Sequence, residues 1–378
     1  MKFIDLKKQY NQLKSPINNA INRVLEHGQY IMGPEVNILE EKLSKYTNMK
    51  YCISCSSGTD ALLMSLMSLD VGPGDAIFTS PFTFIATAEV IQLLGATPVF
   101  VDICEDTFNL NPQQLDICIK ECLNKKQLNP KIILPVDIFG LPANYIDIKK
   151  ISNKYEVPII EDAAQSFGSE IAGQKAGSFG DIATTSFFPA KPLGCYGDGG
   201  AIFTNKKFIY EKLVSIRNHG MGDDKYNNVR IGINGRLDTI QAAILLEKLK
   251  IFPKEIENRE IVSKTYIKNL DSYFITQYIP QNYKSSWAQF ALLAKTPNDR
   301  NILQKHLNSF NIPTAIYYPK SLHLQDAFSH LKYKNGDFPV SEKISKIIFS
   351  IPMHPNLDII EIKKICNILN LEVKKLNN

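Results

Sequence analysis

No stretch of this 378-residue chain approaches the roughly 18 consecutive apolar residues of a membrane-spanning helix. The amino terminus, Met1-Lys2-Phe3-Ile4-Asp5-Leu6-Lys7-Lys8, lacks the continuous apolar core of a secretory signal, so the expectation is a soluble, cytoplasmic protein. Cysteine is too scarce and too uneven for a disulfide framework: seven in a chain of this length argue for free thiols. Cys52 and Cys55 form a Cys-x-x-Cys, but they lie in a strand-like run where alternation sends them to opposite faces. No second cysteine or histidine pair completes a four-ligand metal site, so they are expected as core or rim thiols. Lysine and arginine exceed the acids by only 43 to 38, and the lysines near 124–131 and 363–375 are too diffuse for a nucleic-acid footprint. No strand is followed by Gly-x-Gly-x-x-Gly, which removes the dinucleotide signature of a nicotinamide oxidoreductase. Internal repeats and low-complexity tracts are also missing.

What the chain has is an ordinary globular balance, 44% hydrophobic and 21% charged, with ample core for a large and a small domain. Its most informative stretch runs from residue 158 to 200. Two apolar runs of strand type, 157–160 and 182–188, each deliver polar residues at their carboxyl ends, the edge where ligands bind in open α/β sheets. The first delivers Asp162 and the second Lys191. Such a pair suits pyridoxal phosphate, which needs an amine for covalent attachment and a carboxylate beside its ring nitrogen, although a solvated rim produces the same pair. Gly194, Gly197, Gly199 and Gly200 let the backbone fold closely around an inward-pointing lysine.

Along the chain, helical spacing at 16–27 and 34–46 precedes a strand at 51–55. Ser56-Ser57-Gly58-Thr59-Asp60 then opens a helix over 61–69, reading either as an anion site at a helix start or as plain capping by Ser57 or Thr59. Strands at 76–80, 97–101, 132–136, 157–160 and 182–188 alternate with helices at 84–94, 113–123 and 145–155, which implies a parallel sheet covered on both faces. Phe84, at a strand end, either stacks on a planar ligand or fills core. A helix starting near Asp238 and continuing past Pro253 bridges to a smaller α+β lobe, with strands at 287–294 and 314–318 and helices at 300–310 and 357–369. The expected division is 1–249 for the large domain and 250–378 for the small one.

Six motifs then occur in order: Gly33-Pro34-Glu35-Val36, Ser57-Gly58-Thr59-Asp60-Ala61-Leu62, Pro81-Phe82-Thr83-Phe84-Ile85-Ala86-Thr87, Glu161-Asp162-Ala163-Ala164-Gln165, Ser186-Phe187-Phe188-Pro189-Ala190-Lys191, and Asn234-Gly235-Arg236-Leu237-Asp238. Together they resemble the DegT-type nucleotide-sugar aminotransferases. The resemblance implies an aspartate-aminotransferase-like α/β fold of type I, bound pyridoxal 5'-phosphate, and a homodimer with shared active sites. It makes Lys191 the lysine that carries the cofactor and shuttles the proton, and Asp162 the partner of the ring nitrogen. Gln165 would meet the ring hydroxyl and Phe84 the ring face. Gly58, Thr59 and Ser186 would hold the phosphate, with Asn234 arriving from the second subunit.

The resemblance further implies transfer of an amino group from glutamate to a keto nucleotide sugar. Lys191-Pro192-Leu193-Gly194 with Gly197-Asp198-Gly199-Gly200 looks like the branch acting on 3-keto-sugars, with a UDP-linked 2-acetamido-3-oxo-glucuronate as the expected substrate on a surface-polysaccharide (O-antigen) route. The alternatives are a dTDP-linked 3-keto-6-deoxyhexose, a 4-keto-sugar, or a non-catalytic module that keeps the fold. Arg236 suits a uronate carboxylate, but equally a diphosphate or a structural pair. Tyr317 stands where relatives commonly carry histidine, beside Tyr318, and both are expected to face the sugar. His323 either touches substrate or lies exposed. The stretch 219–226 is either a loop over the substrate or a surface turn.

Overall fold

A computed structural model describes residues 1–224 and 226–376; Lys225, inside the glycine-rich stretch 219–226, lies outside them. The amino-terminal helix α1 (Leu6–His27) starts where the Asp5 carboxylate accepts the Lys8 N–H at 2.9 Å, and ends at Gly28, whose φ of 72° suits glycine. It begins ten residues before the expected 16–27 because Pro16 sits inside the helix rather than at its start. Its buried stripe of Leu13, Ile17, Ala20 and Val24 packs on α8 (Thr239–Asn269) through Ala243 and Ile244. Helix α2 (Pro34–Thr47) opens with proline at its first turn.

The large sheet is built from β1 (Tyr51–Cys55), β2 (Asp75–Thr79), β3 (Thr97–Phe100), β4 (Asn129–Ile133), β5 (Ile160–Asp162), β6 (Ile182–Ser186) and β7 (Gly200–Thr204). Strands β3, β2 and β4 pair in parallel. Parallel bridges Ile133–Ile159 and Val136–Asp162 carry the pairing from β4 to β5, which runs parallel to β6. The order is therefore β3-β2-β4-β5-β6-β7-β1, with β7 antiparallel to both neighbours. That reversed strand departs from the parallel expectation for a plain reason: no helix connects β6 to β7, so the chain doubles back beside the strand it has just left. Helices α3 (Gly58–Ser68), α4 (Ala86–Leu93), α5 (Pro112–Lys125), α6 (Tyr145–Tyr155) and α7 (Lys207–Arg217) complete this part. Apolar residues of β5, β6 and β7 are fully buried, as a sheet covered on both sides requires. Cys52 and Cys55 are buried free thiols.

Beyond α8 a separate hydrophobic cluster joins Val262 and Tyr266 to Phe290, Phe349 and Ile365. It is built on a small antiparallel sheet of Ile275–Thr276, Phe290–Leu293 and Ile348–Ile351, with α9 (Pro297–Ser309) and α10 (Ile359–Leu376) against it. Helix α8 continues through Pro253 and spans the 249/250 boundary. The expected strand at 314–318 is not one. Only Ala315 bridges, exchanging N–H···O bonds with Ser350 at 2.7 and 3.1 Å, because Pro313 and Pro319 remove donors on either side.

Candidate active site

Parallel pairing of β5 with β6 sets Asp162 opposite Thr184, and the chain leaving β6 turns through Phe188-Pro189-Ala190 to Lys191. The Lys191 N–H donates to the Phe188 carbonyl at 2.8 Å, closing that turn. Both side chains line one cleft of about 460 Å³ at the carboxyl edge of the sheet. Asp162 is 3% exposed; its Oδ2 accepts the Thr87 hydroxyl at 2.9 Å and its Oδ1 accepts the Ala164 N–H at 3.2 Å. Burial raises the Asp162 carboxyl above the usual carboxylate range, while the Ala164 N–H, the Thr87 hydroxyl and Lys191 each pull it back. Burial also lowers Lys191 from the ordinary lysine value, and the Asp162 charge opposes that fall. The two groups thus feel each other across the cleft floor.

Local chemistry explains the cleft's other end. Ser57 caps α3, its hydroxyl accepting the Asp60 N–H at 3.0 Å. Among the described residues, no acceptor meets the N–H of Gly58 or Thr59. Capping and an anion site therefore coexist: the serine takes one donor and leaves two others facing the cleft at the positive helix end. Gly58 is required by proximity, since a Cβ there would lie 2.7 Å from the Ser186 Cβ. Gly200 is equally constrained, with the Ser57 carbonyl oxygen 2.4 Å from where its Cβ would be.

Phe84 stands at the cleft wall, 56% exposed, and so does not fill core. Gln165 is held by the Phe139 N–H, which donates to its Oε1 at 2.8 Å, and its Nε2 donates to the Tyr318 hydroxyl at 3.2 Å. Tyr317 and Tyr318 line the cleft from the small lobe, Tyr318 edge-on to Phe82. The cleft therefore gathers Gly58, Thr59, Phe84, Asp162, Gln165, Ser186, Lys191, Tyr317 and Tyr318. It leaves out three expected residues. Asn234 is exposed and bridges Asn218. Arg236 has a buried Nε without an acceptor but does not line the cleft. His323 is neither exposed nor in the cleft: at 2% exposure, its Nε2 lies 3.0 Å from the Glu342 carboxylate, with Phe338 against its ring.

Sequence reasoning passed over Thr87 and Gln289. Thr87 sat inside a quoted motif, one helical turn after Thr83, but its contact with Asp162 appears only once α4 meets β5. Gln289 reaches the cleft from just before the small-lobe strand, its Oε1 buried without a partner, and no local pattern marked it. Glu161 points to the other face of β5, where it accepts the N–H groups of Gly177 and Phe179, both at 2.6 Å.

A buried amine and carboxylate beside unpaired helix-start donors, at the edge of a mostly parallel sheet, define an α/β enzyme site for a planar anionic cofactor. The family model of the DegT/DnrJ/EryC1/StrS aminotransferases matches residues 11–370, and the chain belongs to that family. It is 46% identical to a UDP-2-acetamido-2-deoxy-3-oxo-D-glucuronate aminotransferase of Pseudomonas aeruginosa, over 97% of this chain and 98% of that one. A DegT DnrJ EryC1 StrS aminotransferase from Brucella abortus superposes with a TM-score of 0.94 at 46% identity, covering 98% of both chains. NtdA from Bacillus subtilis, solved with bound cofactor PMP, gives 0.89 at 28% identity, covering 99% of this chain and 85% of that one. The fold is the aspartate-aminotransferase-like type I fold.

Proposed function

We propose that this protein uses pyridoxal 5'-phosphate to transfer an amino group from glutamate to a 3-keto nucleotide sugar, a UDP-linked 2-acetamido-3-oxo-glucuronate. The observation that carries this reading is the convergence of Lys191 and Asp162 on a cleft whose far end offers the free N–H groups of Gly58 and Thr59. The residues fit the cofactor: Gly58, Thr59 and Ser186 would take its phosphate, Phe84 its ring face, Gln165 its hydroxyl and Asp162 its ring nitrogen. When bound, that cofactor supplies an electron sink for the carbon being deprotonated.

Lys191 does the proton work. Burial lowers its affinity for a proton, so more of it is free amine near neutral pH than for an exposed lysine, and its Nζ can take and return the substrate proton. Asp162 keeps a negative charge where a protonated ring nitrogen needs one, aided by Thr87 and Ala164. The substrate assignment leans on the Pseudomonas relative's specificity and on Gly197-Asp198-Gly199-Gly200 beside the cleft. The homodimer reading is supported by Asn234 lying outside its own cleft next to exposed apolar side chains, Val229 at 54% and Ile231 at 85%, a face suited to a second copy. The setting is cytoplasmic synthesis of surface polysaccharide.

Competition assays with glutamate as donor test the substrate: the 3-keto-uronate nucleotide should be preferred over a 3-keto-6-deoxyhexose nucleotide. Preference for the neutral sugar rejects the uronate while leaving the aminotransferase intact.

A further inference from the structure

A second, smaller chamber of about 20 Å³ shares Ile4 and Lys191 with the cleft and is walled by Pro189 and Pro192 of the lysine loop. Four of its polar side chains are at least nine-tenths buried, Gln9 of α1, Lys248 and Arg259 of α8, and His354; Asp5 and Asn356 line it as well, with the Lys191 it shares with the cleft. The four are poorly satisfied. Lys248 rests over the Tyr196 ring, 5.1 Å from its centroid, and among the described residues has no hydrogen-bond acceptor. Arg259 donates once, from Nη1 to the Trp287 carbonyl at 2.9 Å, and its Nε is unpartnered. His354 Nδ1 and Gln9 Oε1 are buried and unpartnered too.

The charges do not balance. Glu255 is the buried carboxylate of this region; the Gln9 amide donates to it at 2.6 Å, and among the described residues no cation lies within 4 Å of it. Asp5, half-buried at the rim, caps α1, while Lys8 donates to the Asn356 carbonyl, and the two charges act on His354 in opposite directions. With Lys191 set against Asp162, the two remaining buried cations against one buried carboxylate leave an excess of one positive charge, which is costly to enclose without a counter-charge. The strain shows in the cations themselves: burial pushes Lys248 down to about 8 and Arg259 down to about 10, with Glu255 opposing both.

We propose that this chamber binds one small monovalent inorganic anion, of chloride size, between Lys248, Arg259 and His354. Volume decides the class, because the space suits a single ion or water rather than an organic acid with a carbon chain. Charge decides against water, which would satisfy the donors but leave the positive excess. Bound there, the anion would fasten the lysine loop to α8 and to the segment carrying His354. The inference stands independently of the substrate reading.

Crystals of the cofactor-loaded protein soaked in bromide test it. An anomalous peak within contact distance of Lys248 Nζ is expected; density there without anomalous signal would mean water and overturn the proposal. Thermal melts of the same protein in sodium chloride and sodium gluconate at equal ionic strength give a second readout. Chloride should raise Tm saturably, and Lys248→Met should abolish that rise. Equal melting in both salts, or a Lys248→Met protein that keeps the full chloride effect, would refute it. Should Lys248→Met fail to fold, the wild-type melts and the bromide map still decide.

Discussion

The turn from Phe188 to Pro192 separates two spaces that handle charge in opposite ways. On the cleft side Lys191 faces Asp162, and that carboxylate is braced by Thr87 and by the Ala164 N–H. On the chamber side Lys248 and Arg259 have one carboxylate between them, and it is held by Gln9 rather than by either cation. A protein can hide an amine by giving it an opposite charge or by leaving a place for one. The first arrangement yields a group tuned for proton transfer; the second yields a site that something else must complete.

Breaking the cleft pair should have the largest consequences. Lys191→Ala removes the proton carrier and should lower turnover by about 10³-fold or more, with cofactor retained, measured as steady-state amino transfer. Asp162→Asn leaves the shape but removes the charge, and a fall of about 10²-fold in kcat is expected, accompanied by weaker cofactor retention on dialysis. Thr87→Val deletes a hydrogen bond to a charged group worth about 1.5–3 kcal/mol, so kcat should drop by about tenfold, and a titration of the wild-type and variant sites should show the Asp162 carboxyl raised further.

The pH profile sharpens the same comparison. Because burial lowers the Lys191 pKa, the free amine persists below the pH at which an exposed lysine is protonated. Activity should therefore hold at neutral pH and decline as pH falls through the depressed value; a limb rising only near the ordinary lysine range would place Lys191 in solvent. The smallest effect on activity belongs to His323, outside the cleft and paired with Glu342. His323→Asn should leave kcat/KM near wild type while costing about 1–3 kcal/mol of stability in denaturant melts, because Glu342 loses a buried partner.

Much of this architecture was legible because it is local. Strand–helix alternation placed β1 to β6 and the helices between them within a few residues, and a carboxyl edge fixed by topology explains why Asp162 and Lys191 share a cleft. Gly58 and Ser57 were readable as a helix start, and the structure resolves their two readings by giving each a role. What escaped was non-local. The reversed direction of β7 depends on a connection without a helix, the Thr87–Asp162 contact on how α4 meets β5, and the burial of His323 on Phe338 and Glu342 from a later segment. Lys248 and Arg259 are eleven residues apart on one helix, and nothing in their spacing announces that α1 and the His354 segment close a chamber over them.

The most direct test is chemical. Borohydride reduction of the cofactor-loaded protein, followed by peptide mapping, should leave the cofactor's mass on the peptide containing Lys191, and prior addition of glutamate should prevent the labelling. Cofactor mass on any other lysine, or none on a protein that still transfers amino groups, would contradict the account.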